Sequence, residues 1–173
     1  MKILTLNTHS LAEENATEKM QLFSGIIEQE QPEIMAFQEV NQTMAEPFIN
    51  EKEVCGYQPV KGFEGKMRRD NYAASLIDEL RKKGLFYYWT WIPVKVGYDK
   101  YDEGMAIFSK NPIHSSCVFN LSNTKLRIVV CDYYRRQGNS SNSSYYSNNI
   151  SNTCLADMIV VYDINIYFIL YKK

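Results

Sequence analysis

The feature that most constrains this chain is a strand–helix–strand unit within residues 1–40. Residues 1–7 and residues 33–40 form two apolar runs. Between them, residues 17–31 repeat large apolar side chains at helical spacing, namely Met20, Phe23, Ile26 and Ile27. A helical crossover of this length places the two strands parallel in one sheet with a right-handed connection. The sequence therefore predicts an α/β fold.

Two polar residues close these predicted strands. Asn7 ends the first strand and Glu39 lies one residue before the end of the second. In open α/β sheets, ligands bind beyond the carboxyl ends of the strands, so both residues are expected near a ligand. An amide and a carboxylate suit a hard cation that holds a phosphate, because Mg²⁺ prefers oxygen ligands. A surface carboxylate at Glu39 and a loop-tying amide at Asn7 are the structural alternatives.

Further elements are predicted in the middle of the chain. A second helix is capped by Asp70 or Asn71, continues to residue 83 and ends at Gly84. The long segment at residues 41–69 is expected to be a loop with one helical turn. Strands are predicted at residues 86–96, 104–109 and from 117 onward. Tight turns join these strands, so a mixed sheet follows.

The character of the sequence changes near residue 125. Residues 126–134 fit a strand, and residues 156–170 fit one or two strands. Residues 135–153 between them are rich in Ser, Asn, Tyr and Gly without hydrophobic period, which is typical of disorder.

Size and composition restrict the class of protein. A chain of 173 residues supports one substantial domain. The net charge of −1 argues against broad electrostatic capture of nucleic acid. The four cysteines lack paired spacing, so reduced thiols in the cytoplasm are expected. No secretory signal or membrane span is predicted. The oligomeric state is left open.

Three separated motifs carry a family resemblance. They are Leu-Thr-Leu-Asn at residues 4–7, Phe-Gln-Glu-Val at residues 37–40, and Asp-Glu-Gly-Met-Ala-Ile-Phe-Ser-Lys-Asn-Pro-Ile at residues 102–113. In order and spacing they resemble the endonuclease/exonuclease/phosphatase superfamily. Loop segments at residues 7–15 and 97–101 are most similar to a bacterial subgroup that includes maltose 6'-phosphate phosphatase. The resemblance covers about residues 1–124.

The resemblance implies a fold and a chemistry. The fold is a four-layer α/β-sandwich, in which two sheets pack face to face with helices outside. The chemistry is hydrolysis of a phosphate ester with Mg²⁺ (or Mn²⁺), through in-line attack by water on phosphorus. In this family the position of Glu39 binds the metal and that of Asn7 orients the phosphate. Glu103 matches an acidic position that, in some members of the family, supports a histidine near the scissile phosphate.

Two further residues are candidates for substrate binding. His9, in the loop above the first strand, is placed to meet a phosphate or a sugar hydroxyl. Asn71 can line the rim of the pocket. The structural alternatives are an exposed loop histidine for His9 and a helix cap for Asn71. For Glu103 the alternative is an ion pair with Lys100 or Lys110.

The second half of the chain departs from the family pattern. The family supplies an Asp-x-Asn motif, a mid-chain histidine and a terminal Asp-His pair there. This chain has only His9 and His114, no Asp-His dipeptide, and one Asp-x-Asn at Asp163 and Asn165 with unmatched neighbours. We therefore interpret residues 1–124 as a partial domain and residues 125–173 as an aberrant tail. Truncation or a shifted reading frame would produce such a tail.

This interpretation predicts a second sheet that is incomplete or missing. A missing sheet leaves one apolar sheet face uncovered. The expected function is a metal-dependent phosphoesterase acting on a small sugar phosphate, impaired by loss of the later motifs. Two alternatives remain: a nuclease or phosphodiesterase of the same superfamily, and a non-catalytic fragment.

Overall fold

The computed structural model describes the backbone of residues 2–120, 127–133 and 157–161, and the side chains of residues 2–113. The strands and α-helices in these ranges are β1 (Ile3–Asn7), α1 (Ala16–Glu30), β2 (Ile34–Thr43), α2 (Tyr72–Lys82), β3 (Tyr88–Gly97), β4 (Tyr101–Ser109), β5 (Ile113–Asn120), β6 (Arg127–Tyr133) and β7 (Asp157–Val161). Single 3-10 turns lie at Ser10–Ala12 and Glu51–Glu53.

The first sheet has the strand order β1-β2-β4-β3. Strands β1 and β2 are parallel, because α1 carries the chain back to the starting edge between them. Strands β2, β4 and β3 pair antiparallel. The predicted α/β class and mixed sheet are confirmed.

A second sheet contains three antiparallel strands in the order β5-β6-β7. Strands were predicted near residues 117–121, 126–134 and 156–170, and these three strands confirm a strand in each region. Of the two possibilities, an incomplete or a missing second sheet, the second is wrong. The Ser/Asn-rich tract at residues 135–153 and the pair Asp163 and Asn165 lie outside the described residues.

Apolar side chains of the first sheet alternate between two buried clusters. One face of β2 presents Met35 and Phe37 to a cluster that includes residues of α1 and α2. The other face presents Ile34 and Ala36 to a second cluster, which also contains Ile107 of β4. Every member of the second cluster is at most 7% exposed. The uncovered apolar face expected from a missing sheet is therefore not found among the described residues.

Both helices end where local sequence signals predict. Pro32 follows α1 after one left-handed residue, since proline disfavours helix in the residue before it. Gly84, with φ +75°, follows the C-cap of α2. Of the two predicted caps for α2, the structure uses Asn71. In the described ranges, neither helix is both long enough and apolar enough to cross a bilayer.

Candidate active site

Glu39 lies at a β-bulge in the middle of β2. The register between β2 and β4 shifts between Gln38 and Val40, which leaves Glu39 without a paired residue. Its φ is +52°, in the left-handed region that non-glycine residues rarely adopt. Bulges re-aim a side chain next to functional sites, and left-handed residues cluster there.

The bulge changes the face on which the Glu39 side chain lies. Asn7 pairs in register with Gln38, so in a regular sheet these two side chains share a face and Glu39 lies on the other. The first apolar cluster contains Phe37 and then Val40, three residues apart instead of two. The extra residue that breaks the alternation is Glu39, and its carboxylate is thereby released from the helix-covered face.

The Glu39 carboxylate meets Asn7 at the end of β1. The Nδ2 of Asn7 donates to Oε1 of Glu39 at 2.8 Å. The Oδ1 of Asn7 accepts from the backbone N–H of His9 at 3.1 Å. The amide is therefore oriented from both sides, and the predicted convergence of Asn7 and Glu39 is present in the structure.

His9 completes this group from the loop after β1. Its Nε2 lies 3.8 Å from Oε2 of Glu39, and its Nδ1 lies 3.6 Å from Oε1 of Glu13. The imidazole is about half exposed and the Glu39 side chain about a quarter exposed. The structure thus brings together three of the five predicted site residues: Asn7, His9 and Glu39.

Glu103 lies on β4, one register step beyond the bulge. It pairs with Asn41 of β2 on one side and with Lys95 of β3 on the other. Its side chain is 6% exposed, and the carboxylate contacts Nζ of Lys95 at 2.9 Å. An ion pair with a lysine was the structural alternative for Glu103, but the partner is Lys95 and not Lys100 or Lys110. Gly97 permits the close approach, because a Cβ there would lie 2.6 Å from Oε2 of Glu103.

Asn71 does not join the group. It is fully buried, and its Oδ1 accepts from the backbone N–H groups of Ala73 and Ala74 at 3.0 and 3.2 Å. Its Nδ2 donates to Oε1 of Gln42 at 3.0 Å. These bonds use the amide for capping α2 and for linking it to Gln42 of β2, which is the structural alternative given for Asn71.

A cleft of about 230 Å³ opens beside the loop that carries His9. Its lining residues include Thr8, Ser10, Lys19 and Tyr72, but neither Asn7 nor Glu39. A hydrogen bond from Lys19, together with its charge, lowers the pKa of Glu13 at the cleft wall. Burial raises the pKa of the Tyr72 hydroxyl. The cleft is therefore lined by residues other than the Asn7–Glu39 pair.

The donor set beside Asn7 fits a magnesium-type cation held largely by other ligands. Glu39 offers one partly exposed carboxylate. Within the described residues, no three His, Cys, Asp or Glu side chains gather into a group able to hold a metal. Mg²⁺ retains several waters and is commonly held by one or two carboxylates and a substrate phosphate. The residues present are therefore of the kind that this ion accepts, and Glu39 is the carboxylate that would hold it.

Two residues that hold the bulge were not identified as functional from the sequence. Oγ of Ser10 donates to the carbonyl of Glu39 at 2.7 Å and accepts from N–H of Asn41 at 2.9 Å. Oγ1 of Thr8 lies 2.9 Å from the carbonyl of Gln38 and 3.1 Å from that of Glu39. The one feature of the sequence that could have indicated this role is the position of both hydroxyls in the loop directly after Asn7.

Comparison with known proteins identifies the family of the chain. The family model described as "Endonuclease/Exonuclease/phosphatase family" matches residues 4–167, and the chain belongs to this family. The match extends well past residue 124, where the resemblance read from the motifs ended. The family comprises phosphatase- and nuclease-type hydrolases, which generally depend on a divalent metal. Among curated proteins, none matches the chain.

Solved structures include a similar protein of the same family. The chain is 27% identical to an endonuclease/exonuclease/phosphatase family protein from Leptotrichia buccalis, with a TM-score of 0.64. The match covers 96% of this chain and 54% of that protein, so the chain spans about half its length. TDP2 from Caenorhabditis elegans is 18% identical with a TM-score of 0.44, covering 76% of this chain and 31% of TDP2. That likeness is too distant to support a functional comparison.

Proposed function

We propose that this chain carries the cation-and-phosphate pocket of a metal-dependent phosphoesterase. In this proposal Glu39 binds Mg²⁺ or Mn²⁺, Asn7 orients a phosphoryl oxygen, and His9 contacts the phosphate or a neighbouring hydroxyl of the substrate. The substrate is a phosphomonoester on a sugar, as in the subgroup that includes maltose 6'-phosphate phosphatase. The observation that carries the proposal is the 2.8 Å contact between Asn7 and a Glu39 carboxylate released by the bulge.

A bound cation of this kind supplies electrostatic stabilisation of the charge that develops on phosphoryl oxygens. The chain's own residues contribute orientation. The N–H of His9 fixes Oδ1 of Asn7, so the Nδ2 group presents its hydrogens in a set direction. The partly exposed carboxylate of Glu39 keeps one edge accessible to solvent and ligand. Preorganised donors of this type lower the cost of aligning a reacting phosphate.

The proposal includes reduced activity in this chain. No Asp-His dipeptide is present, and the two histidines are His9 and His114. Loss of a general acid or base costs about 10²–10⁴-fold in rate. Glu103, which the family resemblance assigned to histidine support, is paired with Lys95.

Cation binding is tested by thermal unfolding in a series of MgCl₂ concentrations. A ligand at ten times its Kd stabilises the folded state by about 1.4 kcal/mol. For a chain of this size that raises Tm by about 3–6 °C. Glu39→Gln is expected to abolish the shift. The matched control is Glu79→Gln, because the Glu79 side chain is 24% exposed and that of Glu39 is 25% exposed. Equal shifts in both variants would contradict the assignment of Glu39.

Substrate class is tested by phosphate release from glucose 6-phosphate and maltose 6'-phosphate, beside nicking of a supercoiled plasmid. Release from the sugar phosphates that requires Mg²⁺ and Glu39 supports the phosphatase. Nicking alone supports the nuclease. The near-neutral net charge favours the small substrate, since phosphate-backbone binding draws on Lys and Arg contacts. A magnesium-dependent Tm shift without either activity identifies a binding-competent but catalytically silent chain.

A further inference from the structure

The bulge at Glu39 depends on a hydroxyl that the chain supplies from the loop after β1. The carbonyl oxygen of Glu39 has two lone pairs, and two hydroxyls, those of Thr8 and Ser10, reach it. Its acceptor capacity is therefore met at least in part by the loop after β1. A bulged residue whose carbonyl lacked such donors would leave a polar group unsatisfied at a partly buried position.

Of the two hydroxyls, only that of Ser10 donates to the Glu39 carbonyl without a competing acceptor. Thr8 has a single hydroxyl proton placed between two carbonyls, those of Gln38 and Glu39. Ser10 has one acceptor for its proton, the Glu39 carbonyl at 2.7 Å, and its oxygen accepts from N–H of Asn41 at 2.9 Å. The side chain is 1% exposed, so water does not compete for these bonds.

We propose that Ser10 is a positioning residue that sets the direction of the Glu39 carboxylate. Its hydroxyl connects the backbone on both sides of the bulge, at Glu39 and at Asn41. The same hydroxyl also connects β2 to the loop that contains His9. This inference rests on the proposed function, because it deepens the account of the same cation site.

The left-handed backbone at Ser10 makes glycine a suitable replacement for testing the role of the hydroxyl. Its φ is +36°, a conformation that glycine adopts without strain. Ser10→Gly therefore removes the hydroxyl while favouring the native backbone, whereas Ser10→Ala removes the hydroxyl and keeps the strain. The matched control is Ser24→Ala: Ser24 is fully buried in α1, and its hydroxyl donates only to the carbonyl of Gln21, at 2.7 Å.

The experiment measures the Mg²⁺ concentration that gives half of the maximal Tm shift. Loss of residues that orient a metal ligand typically weakens metal binding about 10–100-fold. We expect a rise of at least about tenfold in Ser10→Gly relative to the wild type. Ser24→Ala should leave the half-saturating concentration unchanged. Equal Mg²⁺ dependence in Ser10→Gly and Ser24→Ala overturns the proposal.

A metal-free measurement separates this inference from the proposed function. In ¹⁵N-labelled protein, Ser10→Gly is expected to move the side-chain amide resonances of Asn7 and the backbone resonance of Glu39, while Ser24→Ala leaves them in place. Unmoved Asn7 resonances in Ser10→Gly overturn the positioning role, whether or not the chain binds Mg²⁺. If the resonances move in Ser10→Gly but the wild type does not respond to Mg²⁺, the role of Ser10 is supported and only the cation site is contradicted.

Discussion

Replacement of Asn71 by alanine decides between its two predicted roles, substrate binding and helix capping. Its Oδ1 satisfies two N–H groups at the start of α2, and loss of such a cap costs about 1 kcal/mol, with a range of about 0.5–2. The buried bond to Oε1 of Gln42 adds about 1 kcal/mol. That oxygen still accepts from N–H of Arg68, so it is not left unpaired. The expected total is about 2 kcal/mol, which lowers Tm by about 4–8 °C.

Circular dichroism at 222 nm during thermal unfolding measures this loss. Asn71→Ser retains a capping oxygen but cannot reach Gln42 in the same way, so it should recover about half of the lost stability. The half-saturating Mg²⁺ concentration and the KM for a sugar phosphate should stay at wild-type values in both variants. An unchanged Tm together with a raised KM would show that the capping argument is wrong and that Asn71 binds substrate.

Two further predictions concern packing and pH. Gly104→Ala should prevent folding, because its Cβ would lie 2.3 Å from the carbonyl oxygen of Ile92. By contrast, a Cβ at Gly25 in α1 would meet nothing within 4 Å, so Gly25→Ala should raise the free energy of unfolding, measured in urea, by about 0.5–1 kcal/mol. Burial raises the pKa of Tyr87 to about 12, so the folded state holds this proton more tightly than the unfolded state does. Stability should then be complete below pH 10 and fall between pH 10 and 12. In Tyr87→Phe the urea midpoint should fall less steeply between pH 10 and 12. The lost bond to the carbonyl of Pro32 should lower the free energy of unfolding by about 1 kcal/mol below pH 10. Normal folding of Gly104→Ala or an unaltered alkaline slope in Tyr87→Phe would contradict the respective argument.

The architecture of the first sheet was predictable because its signals are local and agree with one another. The apolar runs at β1 and β2, the helical spacing between them and Pro32 all specify a parallel unit. Boundaries were less predictable: β2 continues to Thr43, three residues past the predicted end. Those residues are polar, and burial of Asn41 and Gln42 depends on partners from distant segments, such as the carbonyl of Lys66. Such pairing cannot be read from local hydrophobicity.

The partner of Glu103 illustrates the same limit at the site. Lys100 and Lys110 are near in sequence, but both fall outside the register row of Glu103. The antiparallel pairing of β3 and β4, with its own irregularity between Pro93 and Lys95, brings Lys95 opposite the carboxylate. Register depends on where a bulge occurs, and a shift of one residue changes every cross-strand partner. The sequence therefore predicted an ion pair but not the lysine that forms it.

The convergence of Asn7 and Glu39 was predicted from strand ends alone, and that argument was incomplete. Parallel pairing aligns Asn7 with Gln38, so regular strands would direct the carboxylate to the opposite face of the sheet. The bulge corrects this, at a conformational cost of about 1–3 kcal/mol for a left-handed glutamate. Residue 39 is not glycine, so the sequence contains no local signal for the bulge. The compensating hydrogen bonds come from the loop after β1, which means that the loop and the bulge form one structural unit. A related chain that keeps Asn7 and Glu39 but lacks a hydroxyl at residue 10 should therefore hold its carboxylate less firmly against the amide.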